Sequence, residues 1–280
     1  MAKAVVNKID QYDITSVCCR DHTFMQCSVF ISLLSPEKLG VVRILRFSKS
    51  VRLAMSDKPL DIRAWRAEYL NREEPIFDEA KLKTRNPFEI FDTWFKNVAA
   101  QETLNFEERN AVCLSTVGKD MRPSSRYVLL KGYDKDGFSF YTNYNSRKGR
   151  ELNENPYACM LFYWPIVNRQ IRIEGKVSKL PNEVAVEYWN SRPLSSRIGS
   201  KSSDQSTVIP NREFLENKRK ALEELAAKEG EASITKPDCW GGYLLTPDYY
   251  EFWQGQTDRV HDRIEFRKNG NEWTMRRLSP

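Results

Sequence analysis

Apolar residues recur along this chain at two different spacings, and the change from one to the other marks the elements. Phe88, Phe91, Trp94, Phe95 and Val98 follow each other at three- and four-residue steps. They come directly after Asn86-Pro87-Phe88-Glu89, which sets a capping residue, a first-turn proline and a third-position glutamate in order. The pattern predicts a helix whose aromatic stripe packs on a sheet. Ala111–Val117 and residues 124–131 read as strands around a Gly118-Lys119-Asp120 turn. Between residues 126 and 148, two apolar runs flank Asp134-Lys135-Asp136-Gly137, which predicts a hairpin with Val128 and Leu130 on one face and Phe138 and Phe140 sharing a face. Residues 146–155 follow as a helical segment closed by Pro156.

Tyr157–Trp164 is almost continuously apolar, as in a strand buried on both faces. Residues 170–177 alternate instead. Ile171, Ile173 and Val177 point one way, and Gln170, Arg172 and Glu174 the other, so Gln170 faces either a ligand or solvent. Residues 181–190 read as a helix that Pro193 ends, and 211–228 as a long Glu- and Lys-rich helix with Phe214, Leu222 and Leu225 inward and Gly230 as its stop. The final third returns to strands at 243–245, 250–254, 259–267 and 272–278, the last pair joined by Asn269-Gly270.

Composition narrows the function. The net charge of +6 invites a nucleic-acid reading, but residues 1–54 hold eight Lys/Arg against four Asp/Glu, which leaves the rest of the chain nearly neutral. Without a diffuse basic face, its cations act as individual ligands, and neither nucleic acid nor membrane is expected as a partner. Six cysteines at 18, 19, 27, 113, 159 and 239 have neither zinc-site nor disulfide-framework spacing, and two histidines do not build a metal site. No metal is expected. Glycine-cradle phosphate loops and the Gly-x-Ser-x-Gly elbow are absent from the sequence.

Residues 1–62 look appended, and 63–85 read as a mobile arm before a domain at 86–280. Residues 38–52 carry five cations and no acid, a mitochondrial-targeting pattern, while Met55 offers an alternative start for a cytoplasmic form.

Several cations stand near predicted element ends: Arg126, Lys131, Arg147, Lys148, Arg192, Arg259 and Arg263. Arg147 and Lys148 fall in a first helical turn, where cations oppose the helix dipole unless an anion joins them. Tyr188, Arg192 and Ser196 recur at four-residue steps and can converge on one anion. On an ideal strand, Arg259, His261 and Arg263 share a face. The set suits a phosphorylated small molecule gripped by side chains. Arg126 and Lys131 have opposite strand parity, so they serve two phosphates or a bulge at Gly132 re-aims one of them.

The strings RYVLLKG (126–132), FYTNYNSRKG (140–149), NRQIRIEG (168–175), EYWNSRP (187–193), DQS (204–206) and EFWQGQTDRVHDR (251–263) resemble the pyridoxamine 5'-phosphate oxidase family. The similarity runs in order from about Arg66 to Pro280. It implies an α+β, mainly antiparallel fold: a split β-barrel of Greek-key type with flanking helices, in a homodimer with FMN at the interface. It implies oxidation of pyridoxamine and pyridoxine 5'-phosphates by dioxygen. The nearest alternative is a flavin-binding split barrel acting as a reductase or carrier for another substrate.

Carried over by residue, the resemblance assigns FMN to Arg126, Tyr141, Thr142, Arg147, Lys148, Gln170, Gln205, Ser206, Trp253 and Arg263. The substrate phosphate falls to Lys131, Tyr188, Arg192 and Ser196. Arg259 and His261 are the implied catalytic pair over the pyridine ring, His261 as a proton shuttle, with Arg66 and Tyr69 on the covering arm.

Overall fold

The computed structural model describes Tyr69 and residues 76–101 and 108–280, all within the unit Ile62–Pro280. The expected appended region and Arg66 lie outside the described residues. In chain order the elements are α1 (Pro87–Ala100), β1 (Ala111–Val117), β2 (Pro123–Leu129), β3 (Gly132–Asp134), β4 (Gly137–Asn143), α2 (Arg147–Glu154) and β5 (Tyr157–Trp164). There follow β6 (Arg169–Lys179), α3 (Asn182–Ser191), α4 (Leu194–Lys201), α5 (Arg212–Glu229), β7 (Trp240–Gln254), β8 (Asp262–Asn269) and β9 (Glu272–Arg277). Every strand pairing is antiparallel.

The strands form one curled sheet in the order β2-β1-β5-β6-β7-β4-β3, with β8 added to β7 and β9 to β8. The 15-residue β7 is the spine. It pairs with β6 along its length, with β4 over its first half and with β8 over its second. That division opens the sheet into a split barrel with α1 to α5 around it.

Local sequence explains most boundaries. The Asn86 side chain accepts from Phe88 N–H at 3.0 Å, so α1 starts at Pro87 as its capping residues require. Phe91, Trp94 and Val98 are buried, and Phe91 meets Phe138 edge-on at 4.8 Å in a core that also holds Phe140, Phe162, Phe252 and Phe266. A smaller cluster of Trp189, Ile198, Ala226, Ile234 and Trp240 fixes α3, α4 and α5 against the start of β7.

Five expectations are corrected. The hairpin is confined to β3 and β4, because β2 pairs with β1. The chain changes sides at one peptide: Leu130 N–H donates to Asn110 O, and Lys131 N–H to Ser139 O. Tyr157–Trp164 is not buried on both faces, since Tyr157 and Tyr163 are 56% and 52% exposed. The strands expected at 243–245 and 250–254 are one. Glu174 opposes Tyr249 and Gly175 opposes Pro247, so β7 absorbs an extra residue as a bulge instead of breaking. A side chain at Gly175 would stand 2.1 Å from Thr246 O, so glycine is required there. Phe214 is exposed instead of inward. Finally, β8 begins at Asp262, not at 259. The chain before it turns: Arg259 N–H donates to Gln256 O, Val260 N–H donates to the Asp258 side chain, and Arg259 adopts φ 69°.

The described part of the expected arm, from residue 76 on, docks on the barrel. Phe77 is buried against Trp94 and Phe252, and Glu79 pairs with Arg277.

Candidate functional site

Eight of the predicted site residues line one cleft of about 470 Å³: Lys131, Tyr141, Thr142, Lys148, Tyr188, Arg192, Ser196 and Gln205. That volume lies within the range of about 300–1,000 Å³ typical of small-molecule sites. Helix α3 ends at Ser191, Arg192 after it has an extended backbone (φ −77°, ψ 145°) ahead of Pro193, and α4 starts at Leu194. The kink keeps Tyr188, Arg192 and Ser196 on the same wall. Arg192 donates to Ser200 Oγ at 3.0 Å and lies over the Trp240 ring at 4.9 Å. Burial lowers its pKa, and burial raises those of Tyr188 and Tyr141, which stack at 3.9 Å. Lys131 stands exposed at the rim.

Lys148 gives the cleft its anion-seeking character. Its ammonium is buried and donates to three neutral oxygens: Gln205 Oε1 at 2.9 Å, Thr142 Oγ1 at 3.0 Å and Ser146 Oγ at 3.4 Å. Burial, then the Arg126 charge, brings its pKa down to about 8. Among the described residues it forms no ion pair, so a buried anion would relieve it.

Arg126 and Arg147 stand behind this cleft, joined through Glu151, a residue that the sequence did not single out. Glu151 Oε2 accepts from Thr116 Oγ1 at 2.5 Å, Ser124 Oγ at 2.6 Å and Arg126 Nη2 at 3.3 Å, while Oε1 accepts from Arg147 Nε at 2.8 Å. Burial alone would raise its pKa. Hydrogen bonds from Ser124, Thr116 and Arg147, with the Arg126 charge, outweigh burial and hold it at about 2. Arg147 is engaged through Nε, which leaves its two terminal nitrogens for a further acceptor. Arg126 is more committed, since its terminal nitrogens also reach Leu114 O, Thr116 Oγ1 and Ser124 Oγ. Ser206 is exposed beside Gln205 with φ 69° and is not part of the cleft wall.

The remaining predicted residues gather elsewhere. Gln170 is the register partner of Trp253, which in turn opposes Arg263. The Trp253 ring lies 4.9 Å from His261, and Tyr69 meets both edge-on, at 5.7 and 5.4 Å. A side chain at Gly255 would come within 2.8 Å of the Tyr69 ring, so the ring rests on bare backbone. Arg259 lies over Tyr69 at 5.3 Å. Because β8 starts at Asp262, Arg259, His261 and Arg263 do not share one strand face as expected. A turn places both near Tyr69 instead, Arg259 over its ring and His261 edge-on to it. Gln256 N–H donates to His261 Nδ1 at 3.0 Å, which assigns the neutral ring's proton to Nε2. Arg263 bonds the buried Glu251 at 2.7 Å and Ser279 O at 2.9 Å, and Arg172 also reaches Glu251. Burial raises the Glu251 pKa, but the two guanidiniums bring it below its usual range.

The two groups sit toward opposite ends of β7. Tyr141 opposes Gly242, and Gln170 opposes Trp253. Eleven residues of strand span up to about 36 Å at 3.3 Å per residue. The two groups therefore stand eleven residues apart along one strand.

A family model described as "Pyridoxamine 5'-phosphate oxidase" matches residues 99–225, and one described as "Pyridoxine 5'-phosphate oxidase C-terminal dimerisation region" matches residues 240–280. A Caenorhabditis elegans relative is 65% identical over 226 residues, covering 81% of this chain and all of that one. The Bos taurus "Pyridoxine-5'-phosphate oxidase" is 46% identical over 236 residues, covering 79% of this chain and 88% of that one. Among solved structures, PhzG from Burkholderia lata 383, in complex with tetrahydrophenazine-1-carboxylic acid, superposes with TM-score 0.67 at 30% identity, covering 73% of this chain and 98% of that one.

Proposed function

The chain belongs to the pyridoxamine 5'-phosphate oxidase family and is an oxidase of that class, and we propose that it uses FMN and dioxygen to convert both pyridoxamine and pyridoxine 5'-phosphates to pyridoxal 5'-phosphate. The amine reaction consumes water and releases ammonia, and both reactions yield hydrogen peroxide. The observation that carries this reading is the pairing in one cleft of a buried, anion-seeking Lys148 with a second phosphate-binding set, Lys131, Tyr188, Arg192 and Ser196.

The residues present fit a flavin phosphate. Among the described residues Lys148 has only neutral acceptors, and Arg147 beside it keeps two terminal nitrogens in hand. Thr142, Gln205 and Ser206 supply uncharged hydrogen bonds, and the Tyr141 ring lies nearby. Bound FMN would supply the two-electron acceptor and pass the electrons to dioxygen.

The protein's own part is placement and charge. Arg192 offers a planar fork and Lys131 a mobile point charge to the substrate phosphate, with Tyr188 and Ser196 completing the clamp. Holding the ester fixes the reacting carbon and removes the entropy cost of a bimolecular encounter. Gln170, Trp253, Arg263 and the Arg259/His261 pair come from the other end of the barrel, and in a homodimer the partner subunit brings its own copy of that end to this cleft. The C-terminal match to a dimerisation region supports that assembly. Arg259 orients the pyridine ring. His261 with its proton on Nε2 orients the heteroatom on the carbon being oxidised through a hydrogen bond. That is a narrower role than a free proton shuttle, because Nδ1 is occupied by Gln256 N–H. The proton which that heteroatom loses as the carbon gives up hydride passes to water and is matched by the one taken up when dioxygen becomes hydrogen peroxide.

The test is direct: the purified protein is loaded with FMN and given pyridoxine 5'-phosphate, pyridoxamine 5'-phosphate or unphosphorylated pyridoxine in air. Aldehyde and peroxide in equal amounts from the two phosphates, with little from pyridoxine, are expected. Flavin that stays inert toward both phosphates would refute the reading.

A further inference from the structure

Asp262 opens β8 with a side chain only 9% exposed, and its two oxygens gather donors from three segments. Oδ2 accepts from the Phe77 backbone N–H at 3.0 Å and from Gln256 Nε2 at 2.6 Å, while Oδ1 accepts from Arg277 Nη1 at 2.8 Å. Gln256 faces the other way through its main chain, donating to His261 Nδ1 at 3.0 Å. One residue therefore connects the buried carboxylate to the imidazole.

We propose that Asp262 is the positioning residue of the loop that carries Arg259 and His261, holding Gln256 so that His261 keeps its proton on Nε2, toward the substrate. This deepens the proposed function and rests on it. The loop needs such an anchor, because Arg259 sits at φ 69°, a conformation that costs a non-glycine residue energy and persists only when its surroundings impose it. Gly255 N–H bonding to Asn168 O secures the loop's start, and Asp262 secures its end.

The chemistry calls for a carboxylate. Three donors converge on two oxygens, and an ionised Asp is acceptor-only. An Asn at this position would turn an NH₂ toward Gln256 or Arg277, donor against donor, and leave a buried group unsatisfied. Neutralising Asp262 therefore disturbs the loop without removing any atom that touches substrate.

The chain contains two histidines, so nitrogen-15 NMR of histidine-labelled protein can follow His261 in a His22→Gln background. The flavin-loaded parent should give the single pattern of an Nε2–H imidazole. Asp262→Asn and Gln256→Ala should each lose it to a mixture of tautomers, keep full flavin content, and lower kcat by about 10- to 100-fold, the scale of a positioning loss, with KM for the 5'-phosphate little changed. Gln256→Ala leaves the Phe77 and Arg277 contacts of Asp262 intact, so it reads the loop even if Asp262→Asn folds poorly. An unchanged tautomer pattern in both variants, or a changed pattern with unchanged kcat, would overturn the proposal. The NMR readout needs no turnover, so an enzyme that failed on vitamin B6 phosphates would sink the proposed function and leave this measurement standing.

Discussion

Lys148 Nζ lies 2.9 Å from Gln205 Oε1, and this link between the first turn of α2 and the loop after α4 places a buried ammonium among neutral oxygens. Its pKa, brought down to about 8 by burial and the Arg126 charge, sets the pH above which Lys148 in the free protein gives up its charge. A phosphate monoester is already close to dianionic at about pH 7. Weakening above that pH then reports the protein and not the ligand.

FMN binding to apoprotein should therefore weaken by roughly tenfold or more between about pH 7 and pH 9.5, because binding retains a proton that free Lys148 sheds. Fluorescence titration checks this. Lys148→Met should bind FMN weakly at both pH values, with the dependence gone, while riboflavin affinity changes little.

Glu151 makes an opposite prediction for stability. Its folded-state pKa of about 2 lies below the ordinary 4.5, so its contribution is complete above about 4.5 and fades as pH falls toward 2. The shift corresponds to about 3 kcal/mol. Denaturant melts across that acid range should show the parent losing stability more steeply than Glu151→Gln, which is expected to be weaker at neutral pH because Arg126 and Arg147 lose their shared counter-charge.

Arg259→Ala should leave flavin bound and raise KM or lower kcat for pyridoxine 5'-phosphate, since Arg259 lies over Tyr69 at the far end of the barrel from the Lys148 cleft. Flavin content by absorbance and steady-state kinetics separate the two effects. Loss of flavin, with normal turnover once flavin is resupplied, would contradict the role assigned to Arg259.

Phe91 anchors α1 to the sheet through Phe138 and Phe162 and is fully buried. Phe91→Ala should cost about 3–5 kcal/mol, the usual range for a buried phenylalanine, read as a fall in the urea midpoint.

Much of this is legible in the sequence. The cap at Asn86 and the four-residue steps from Tyr188 to Ser196 are local signals, and local signals survive folding. What escaped was decided at a distance. Residues 246–249 separate the strands expected at 243–245 and 250–254, but Gly175 across the sheet gives the backbone room for a bulge, so β7 runs through. The run 259–267 looked like one strand, but Gln256 O and the Asp258 side chain hold a turn that Arg259 must enter. Glu151 lies four residues after Arg147, a spacing that suits their ion pair, yet the sequence did not single it out, and Thr116 and Ser124 meet it only through β1 and β2. Asp262 and Gln256 lie within the string 251–263, but nothing local singled them out, because their partners are Phe77, Arg277 and the imidazole of His261.

We propose that each site takes the Lys148 cleft from one chain and the Arg259/His261 loop from its partner. Arg192→Ala and His261→Ala are each expected to be inactive alone. Refolded together in equal amounts, half the dimers pair one of each, and each such dimer rebuilds one intact site. The mixture should regain about a quarter of wild-type activity per chain. A mixture as inactive as its components would mean that both groups serve a site within one chain, against the eleven residues of β7 that separate Gly242 from Trp253.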